Sequence, residues 1–254
     1  MRVLVFFAHP DDETMLAGGT LALLARAGAE IFYLSATRGE GGEMGEPPMC
    51  TREDLGRLRE AELACAVQAL GGGQLQFLDF VDPTVGPDNT LYPFDADMPG
   101  LVMLLQKIIL EQHIDALITH GSDGEYGHPA HLRVHQAAAL TVAGMGAGAP
   151  LFYTWQACYE GHPKARLANR NDTAHLILDV SSVLQMKINA ALCHRTQHAL
   201  FVRNASKDSG WQMTVPEVIV AGESLHRVSP PVTDGPVDDA LAALLRSSGA
   251  VREA

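Results

Sequence analysis

Two short stretches carry the residue types that could do chemistry. "AHPDDE" (8–13) places one imidazole and three carboxylates within six residues, and "EYGHPAH" (125–131) adds two more imidazoles. His9, Asp12 and His131 form a two-histidine, one-carboxylate donor set, which leaves a coordination position open for water, as in catalytic zinc sites. A second pairing competes for His131: with His135, four residues on, it shares one helix face and would leave His128 for another task. Capping is the plainer account of the first stretch. Acids suit a helix N-terminus, where free N–H groups carry partial positive charge, and Pro10 suits a first turn. Capping does not account for a second corner that repeats the His-Pro pair beside another metal-capable group.

The elements that must position these residues follow from periodicity. "RVLVFFA" (2–8) is a continuous apolar run, as in a strand covered on both faces. A helix over 13–28 follows, then a strand over 30–36, a Gly/Glu/Pro-rich loop over 37–50 and a helix over 51–71 with a capping-box start at Thr51 and Asp54. Strands are predicted over 74–80, 114–120, 151–157 and 175–180, and helices over 98–113, 130–144 and 181–200. The end (235–254) looks like a short, weakly anchored helix. Alternating strands and helices build an α/β fold, a Rossmann-like three-layer sandwich with a mostly parallel sheet and helices on both faces. In such sheets sites lie at the carboxyl ends of the strands. The loops at 9–13, 37–50, 79–90 and 120–131 all follow strands and should gather on one edge. No low-complexity linker or internal repeat divides the chain, so one domain over 1–254 is expected.

Composition sets outer bounds. The chain has 254 residues, 47% of them apolar, and a net charge of −12, which disfavours a nucleic-acid partner. No run of about 18 apolar residues exists to span a membrane. The run after Arg2 is too short for a signal-peptide core. Cys50, Cys65, Cys158 and Cys193 form no CxxC and read as reduced thiols in a cytoplasmic protein, with Cys65 and Cys193 as packing residues. Self-assembly into a homo-oligomer is compatible with this sequence.

The paired stretches "AHPDDE" and "YGHPAH" resemble the PIG-L/LmbE-like de-N-acetylases. "TRGEGG" (37–42), "REAELACAVQALG" (59–71) and "KINAALCHRTQ" (187–197) are similar to further family stretches in register, so the resemblance covers about residues 2 to 200. Ala130 departs from the Asp common between Pro and His in the second motif. The resemblance implies that His9, Asp12 and His131 hold Zn²⁺, that Asp11 is the general base, and that His128 stabilises an oxyanion or acts as a general acid. It implies a small-molecule substrate, an N-acetylated amino sugar. Tyr126 could add a hydroxyl donor to the oxyanion, or simply pack on the helix.

Arg59, Asp82 and Glu40 are the substrate-side candidates. "FLDFVD" (77–82) parallels a family stretch whose Asp binds a sugar hydroxyl, and carboxylates and guanidinium suit hydroxyl partners. Each has a plainer reading: Arg59 pairs with Glu62 or Glu13, Asp82 before Pro83 is a turn residue, and Glu40 is solvated. His194 and His198, four apart, read as surface or capping residues. Gly39, Gly41 and Gly45 do not make a dinucleotide-binding GxGxxG, and no Gly-x-Ser-x-Gly elbow occurs. Two rivals remain to a zinc amide hydrolase. A metallophosphoesterase would need more ligands and a basic phosphate clamp, and a non-catalytic metal- or sugar-binding module would have no use for Asp11.

Overall fold

A computed structural model describes residues 1–252. In chain order the elements are β1 (Arg2–Phe7), α1 (Asp12–Arg26), β2 (Glu30–Thr37), α2 (Arg52–Ala69), β3 (Gln74–Phe80), α3 (Met98–Glu111), β4 (Ala116–Thr119), the single irregular turn α4 (Gly124–Gly127) and α5 (Pro129–Met145). The second half comprises β5 (Leu151–Trp155), β6 (Ala157–Cys158), β7 (Asn169–Thr173), β8 (Leu176–Asp179), α6 (Leu184–Cys193), α7 (His198–Ser209), α8 (Val215–Val218), β9 (Gly222–Ser229), α9 (Ala240–Ser247) and β10 (Val251–Arg252).

Eight strands form one sheet in the order β10-β8-β9-β5-β4-β1-β2-β3, and β6 pairs with β7 apart from it. The five strands from β5 to β3 are parallel, while β9 runs antiparallel to β5 and β8. The apolar run of β1 explains its central place. Val3, Val5 and Phe7 enter a core with α1, α2 and α9, whereas Leu4, Phe6 and Ala8 enter a second core with α3 and α5. Every β1 side chain from Val3 onward is thus buried, on alternating faces, which is the two-residue period of a doubly covered strand. Burying Phe6 and Phe7 contributes about 1.5–3 kcal/mol each. The expected mostly parallel sheet with helices on both faces is what the chain forms.

The order of strands also locates a crevice. From β1 the chain moves to β2 and β3 on one side, then returns to place β4 on the other side of β1. The loops leaving β1 and β4 therefore part in opposite directions, at the switch point where open α/β sheets take ligands.

Three expectations need correction. The helix predicted over 181–200 divides into α6 and α7, with a tight turn at 194–197 held by Glu62, whose carboxylate accepts the Thr196 N–H at 2.9 Å and hydroxyl at 2.7 Å. The tail is well anchored: Leu241 and Leu245 are buried, and Asp239 caps α9 at the Ala242 N–H while accepting from Tyr153 and Arg227. Cys65 and Cys193 are not reduced packing residues but form a disulfide between α2 and α6, while Cys50 and Cys158 are free. No helix among the described residues is long and apolar enough to cross a membrane.

Candidate metal and active site

The first corner leaves β1. Asp12 opens α1, and its Oδ2 accepts the His9 backbone N–H at 2.8 Å, closing the turn on itself. Between them Asp11 adopts φ 112°, ψ −26°. A non-glycine residue in so sparsely populated a region costs on the order of 1–3 kcal/mol and persists only where its surroundings over-determine it. Two bonds do so here. The Asp11 N–H donates to Glu13 Oε2 at 3.0 Å, and Asp11 Oδ2 accepts from Arg59 Nη2 at 3.0 Å. Arg59 is itself buried on α2, where Nη2 also reaches the Pro10 carbonyl and Nη1 donates to the Gly39 carbonyl at 2.9 Å. Gly39 sits at φ 67°, and a Cβ there would lie 2.1 Å from Arg59 Nη1, so the "TRGEGG" loop needs glycine to receive the guanidinium. Burial pushes the Asp11 carboxyl up to about 7, against the pull of Arg59.

The second corner leaves β4 through His120 and α4. His128 caps α5, its Nδ1 accepting the Ala130 N–H at 3.2 Å. That bond leaves the ring proton on Nε2. Burial, with His131 and His9 alongside, lowers His128 to about 3, so it is neutral. His131 follows in the first turn of α5, and its Nε2 lies 3.3 Å from Asp12 Oδ1.

Glu125 and His120 are functional residues that sequence reasoning passed over. Glu125 is buried at φ 59°, and its Oε2 lies 2.9 Å from His120 Nδ1 and 2.6 Å from His131 Nδ1. Its Oε1 accepts the Gly121 N–H at 3.0 Å and the Trp155 indole N–H at 3.1 Å. Burial opposes its charge, but the two imidazoles outweigh that and hold the carboxyl below the usual range. Glu125 thus takes the Nδ1–H of both rings. Whenever His131 is neutral, this leaves its lone pair on Nε2. In His120 the same lone pair already accepts the Ala8 N–H at 3.1 Å, which ties the end of β4 to the end of β1 and leaves Nε2 3.4 Å from Asp12 Oδ2.

His9 completes the cluster. Its Nδ1 lies 3.4 Å from Asp12 Oδ2, and its Nε2 is 3.1 Å from Asp82 Oδ1. Burial alone would lower His9 and His131. Asp82 and Asp12 outweigh it for His9, raising it to about 9, and Asp12 with Glu125 raises His131 to about 10. The protons of both rings therefore balance a surplus of carboxylate charge. A divalent cation fits the same place. Two sets of three residues have ligand atoms all within 4.8 Å of one another: His9, His128 and His131, and Asp12, His120 and His131. His131 belongs to both sets. The nitrogen and carboxylate donors, with Glu125 on the far side of an imidazole, match the usual build of a histidine-carboxylate metal site.

A cavity of about 490 Å³ opens above the cluster. His9, Asp11, Asp12, Arg59, Asp82, Tyr126, His128 and His131 all line it. Glu40 does not, and it is not simply solvated: its Oε2 accepts the Arg38 and Asp82 backbone N–H groups, tying the 38–45 loop to the end of β3. His135 joins neither donor set; its Nδ1 lies 3.0 Å from the His120 carbonyl oxygen. His194 stands at the C-cap of α6 but is fully buried rather than on the surface, with Nε2 2.9 Å from Glu13 Oε1. His198 lies 3.2 Å from the Leu192 carbonyl oxygen, as a capping role requires.

A family model described as PIG-L, GlcNAc-PI de-N-acetylase, matches residues 4–142, the stretch from β1 to α5 that holds both corners. The 1D-myo-inositol 2-acetamido-2-deoxy-alpha-D-glucopyranoside deacetylase of Rhodococcus jostii (strain RHA1) is 35% identical over 158 residues, covering 57% of this chain and 54% of the relative. The chain spans about half the length of the first such relatives it matches. Among solved structures, the N,N'-diacetylchitobiose deacetylase of Pyrococcus horikoshii is similar at TM-score 0.61 and 18% identity, over 89% of this chain and 83% of that one. GalB, the 4-carboxy-2-hydroxymuconate hydratase of Pseudomonas putida KT2440, is similar at TM-score 0.60 and 23% identity, over 93% and 99%. A deacetylase and a hydratase share this architecture, so those likenesses speak to fold alone. The sequence match over both corners is what assigns membership: this chain belongs to the PIG-L (GlcNAc-PI de-N-acetylase) family.

Proposed function

We propose that this chain is a zinc-dependent hydrolase that removes the acetyl group from a small N-acetylglucosamine-type substrate. Relatives that bear the name of 2-acetamido-sugar deacetylases support the reaction class. His9, Asp12 and His131 would hold the metal. Zinc, when bound, polarises an amide oxygen and lowers the pKa of water. Asp11 takes the proton of the attacking water on its carboxylate and returns it to the leaving amine. A carboxyl at about 7 divides between its two protonation states near neutral pH, which suits a group that must accept and then donate. The neutral His128 donates its Nε2–H to the oxyanion that forms as the amide carbonyl is attacked. Tyr126, on the same wall, supplies its hydroxyl as a second donor. Asp82 spends Oδ1 on His9 and keeps its other oxygen for a sugar hydroxyl. Arg59, with its donors on Asp11 and two carbonyls, works by holding the base.

The observation that carries this reading is Asp11: a strained, half-enclosed carboxylate beside a metal-capable cluster, in a cavity of substrate size. The test compares Asp11→Asn with Asp12→Asn on zinc content, thermal stability and acetate release from an N-acetylglucosaminide. Asp11→Asn should keep zinc and fold and lose about 10²–10⁴-fold in turnover. Asp12→Asn should lose zinc. Near wild-type turnover in Asp11→Asn would place the base elsewhere, and a wild-type chain that binds zinc and sugar without releasing acetate would be a binding module.

A further inference from the structure

We propose that His194 is a positioning residue for the reaction: through Glu13 it fixes the backbone of Asp11 in the conformation that turns its carboxylate into the cavity. The proposal rests on Asp11 being the general base.

Asp11 is held from two directions. Arg59 grips the carboxylate, and Glu13 Oε2 accepts the backbone N–H at 3.0 Å. Arg59 holds the side chain, and the Thr14 and Met15 N–H groups hold the carbonyl, but only the Glu13 bond holds the amide whose rotation sets φ at 112°, away from the negative values an L-residue prefers. Glu13 can serve only if its own carboxylate is fixed. It is fully buried, so it cannot rely on water. Its Oε1 is met by His194 Nε2 at 2.9 Å and by the Thr14 hydroxyl.

The imidazole has no other employment. His194 is itself fully buried, its Nδ1 has no partner, and Nε2 faces Glu13 with Thr14 Oγ1 at 3.4 Å. It comes from 181 residues further along the chain, at the break between α6 and α7. That break is held by Glu62 on α2, three residues after Arg59. One helix therefore secures both constraints: Arg59 for the Asp11 side chain directly, and Glu62 for the turn that brings His194 to Glu13.

The experiment uses the full chain with His194→Leu and His194→Gln, where glutamine retains a donor for Glu13. For zinc-loaded protein, kcat and KM are measured on an N-acetylglucosaminide together with zinc stoichiometry. For metal-free protein, the Asp11 backbone amide resonance is followed by NMR. His194→Leu should keep zinc stoichiometry and hold KM within about twofold while kcat falls about 10–100-fold, the scale of an ångström-sized misplacement. The Asp11 amide proton should shift upfield, and His194→Gln should restore much of both effects. Unchanged kcat in His194→Leu overturns the proposal, as do equal losses in both variants with an unmoved Asp11 amide. Should His194→Leu fail to fold, Glu13→Gln provides the second arm. It still accepts from Asp11 but turns the wrong polarity towards His194, so a lowered kcat at constant KM supports the proposal and a wild-type kcat overturns it. A wild-type chain that releases no acetate overturns the reading of Asp11 and this proposal together. An active wild type indifferent to His194→Leu overturns this proposal alone.

Discussion

Glu125 places one oxygen between two imidazoles, and most of the order in the cluster follows from that choice. It sets the tautomer of His131 and leaves Nε2 for Asp12 or a cation. Groups in this position typically govern affinity rather than ligand identity. Glu125→Gln should therefore keep the fold and weaken zinc binding by about 10–100-fold, measured by competition against a chelator. An unchanged affinity would reduce Glu125 to a structural anchor for Trp155. Residue-scale legibility divides along the same line. Donor type and local spacing mark His9, Asp12 and His131 as metal-capable, and the fold brings the three beside one another. Glu125 lay in the quoted stretch, yet its role depends on φ 59° and on β4 lying beside β1, and neither shows in a one-dimensional pattern. His194 was misjudged because its partner is Glu13, far away in sequence, and nearby Arg195 and Gln197 suggested an exposed end.

At the scale of elements, the alternation from β1 to α5 was legible because each segment has one clear period and a Gly or Pro boundary. Beyond β5 the signals weaken. β9 mixes Glu223, His226 and Arg227 with apolar residues, because Glu223 points inward to pair with Lys187 and to accept the Gly19 and Thr20 N–H groups of α1. The split between α6 and α7 is imposed by Glu62 from another helix, so a continuous apolar pattern runs across it. The tail is held by α9, whose cap is testable. Asp239 is half-withdrawn from solvent, which would raise it, but the Ala242 N–H, Tyr153 and Arg227 hold its carboxyl below the usual range. A depressed folded-state pKa stabilises above the unfolded value, about 3.9, and that contribution is lost as pH falls through the folded value. Asp239→Ala should thus lower stability by about 1–2 kcal/mol at pH 7. Urea denaturation at pH 7 and again below pH 3 should show the gap closing in acid, and a gap that persists there would assign the loss to packing alone.

For the whole molecule, the site stands where strand order reverses, and its parts arrive from both halves of the chain. The acids and imidazoles come from the loops after β1 and β4, Asp82 comes from beyond β3, and the far brace comes from the break between α6 and α7. The fold class could be inferred from alternation, but the link that couples these parts covalently could not, since no spacing relates Cys65 to Cys193. Their sequence separation is 128 residues, and in the chain-entropy account closing such a loop restricts the unfolded state by about 4–5 kcal/mol. Reduction should lower the denaturation midpoint while leaving zinc content intact, and Cys65→Ser should reproduce it without reductant. Equal midpoints for oxidised and reduced protein would count against the link.

That link also decides what a protease would leave behind. The connection from Val81 to Asp97 is the longest irregular passage between Cys65 and Cys193, and Val81, Val85 and Tyr92 are exposed along it. A single cut there separates a piece carrying β1, β2 and Cys65 from one carrying β4, α5 and Cys193, yet the disulfide keeps the two joined. Nicked protein should run as one species without reductant and as two with it. His9 and Asp12 stay tethered to His131 after the backbone between them is gone, so the metal-capable cluster comes to be shared by two polypeptides held by one sulfur bridge.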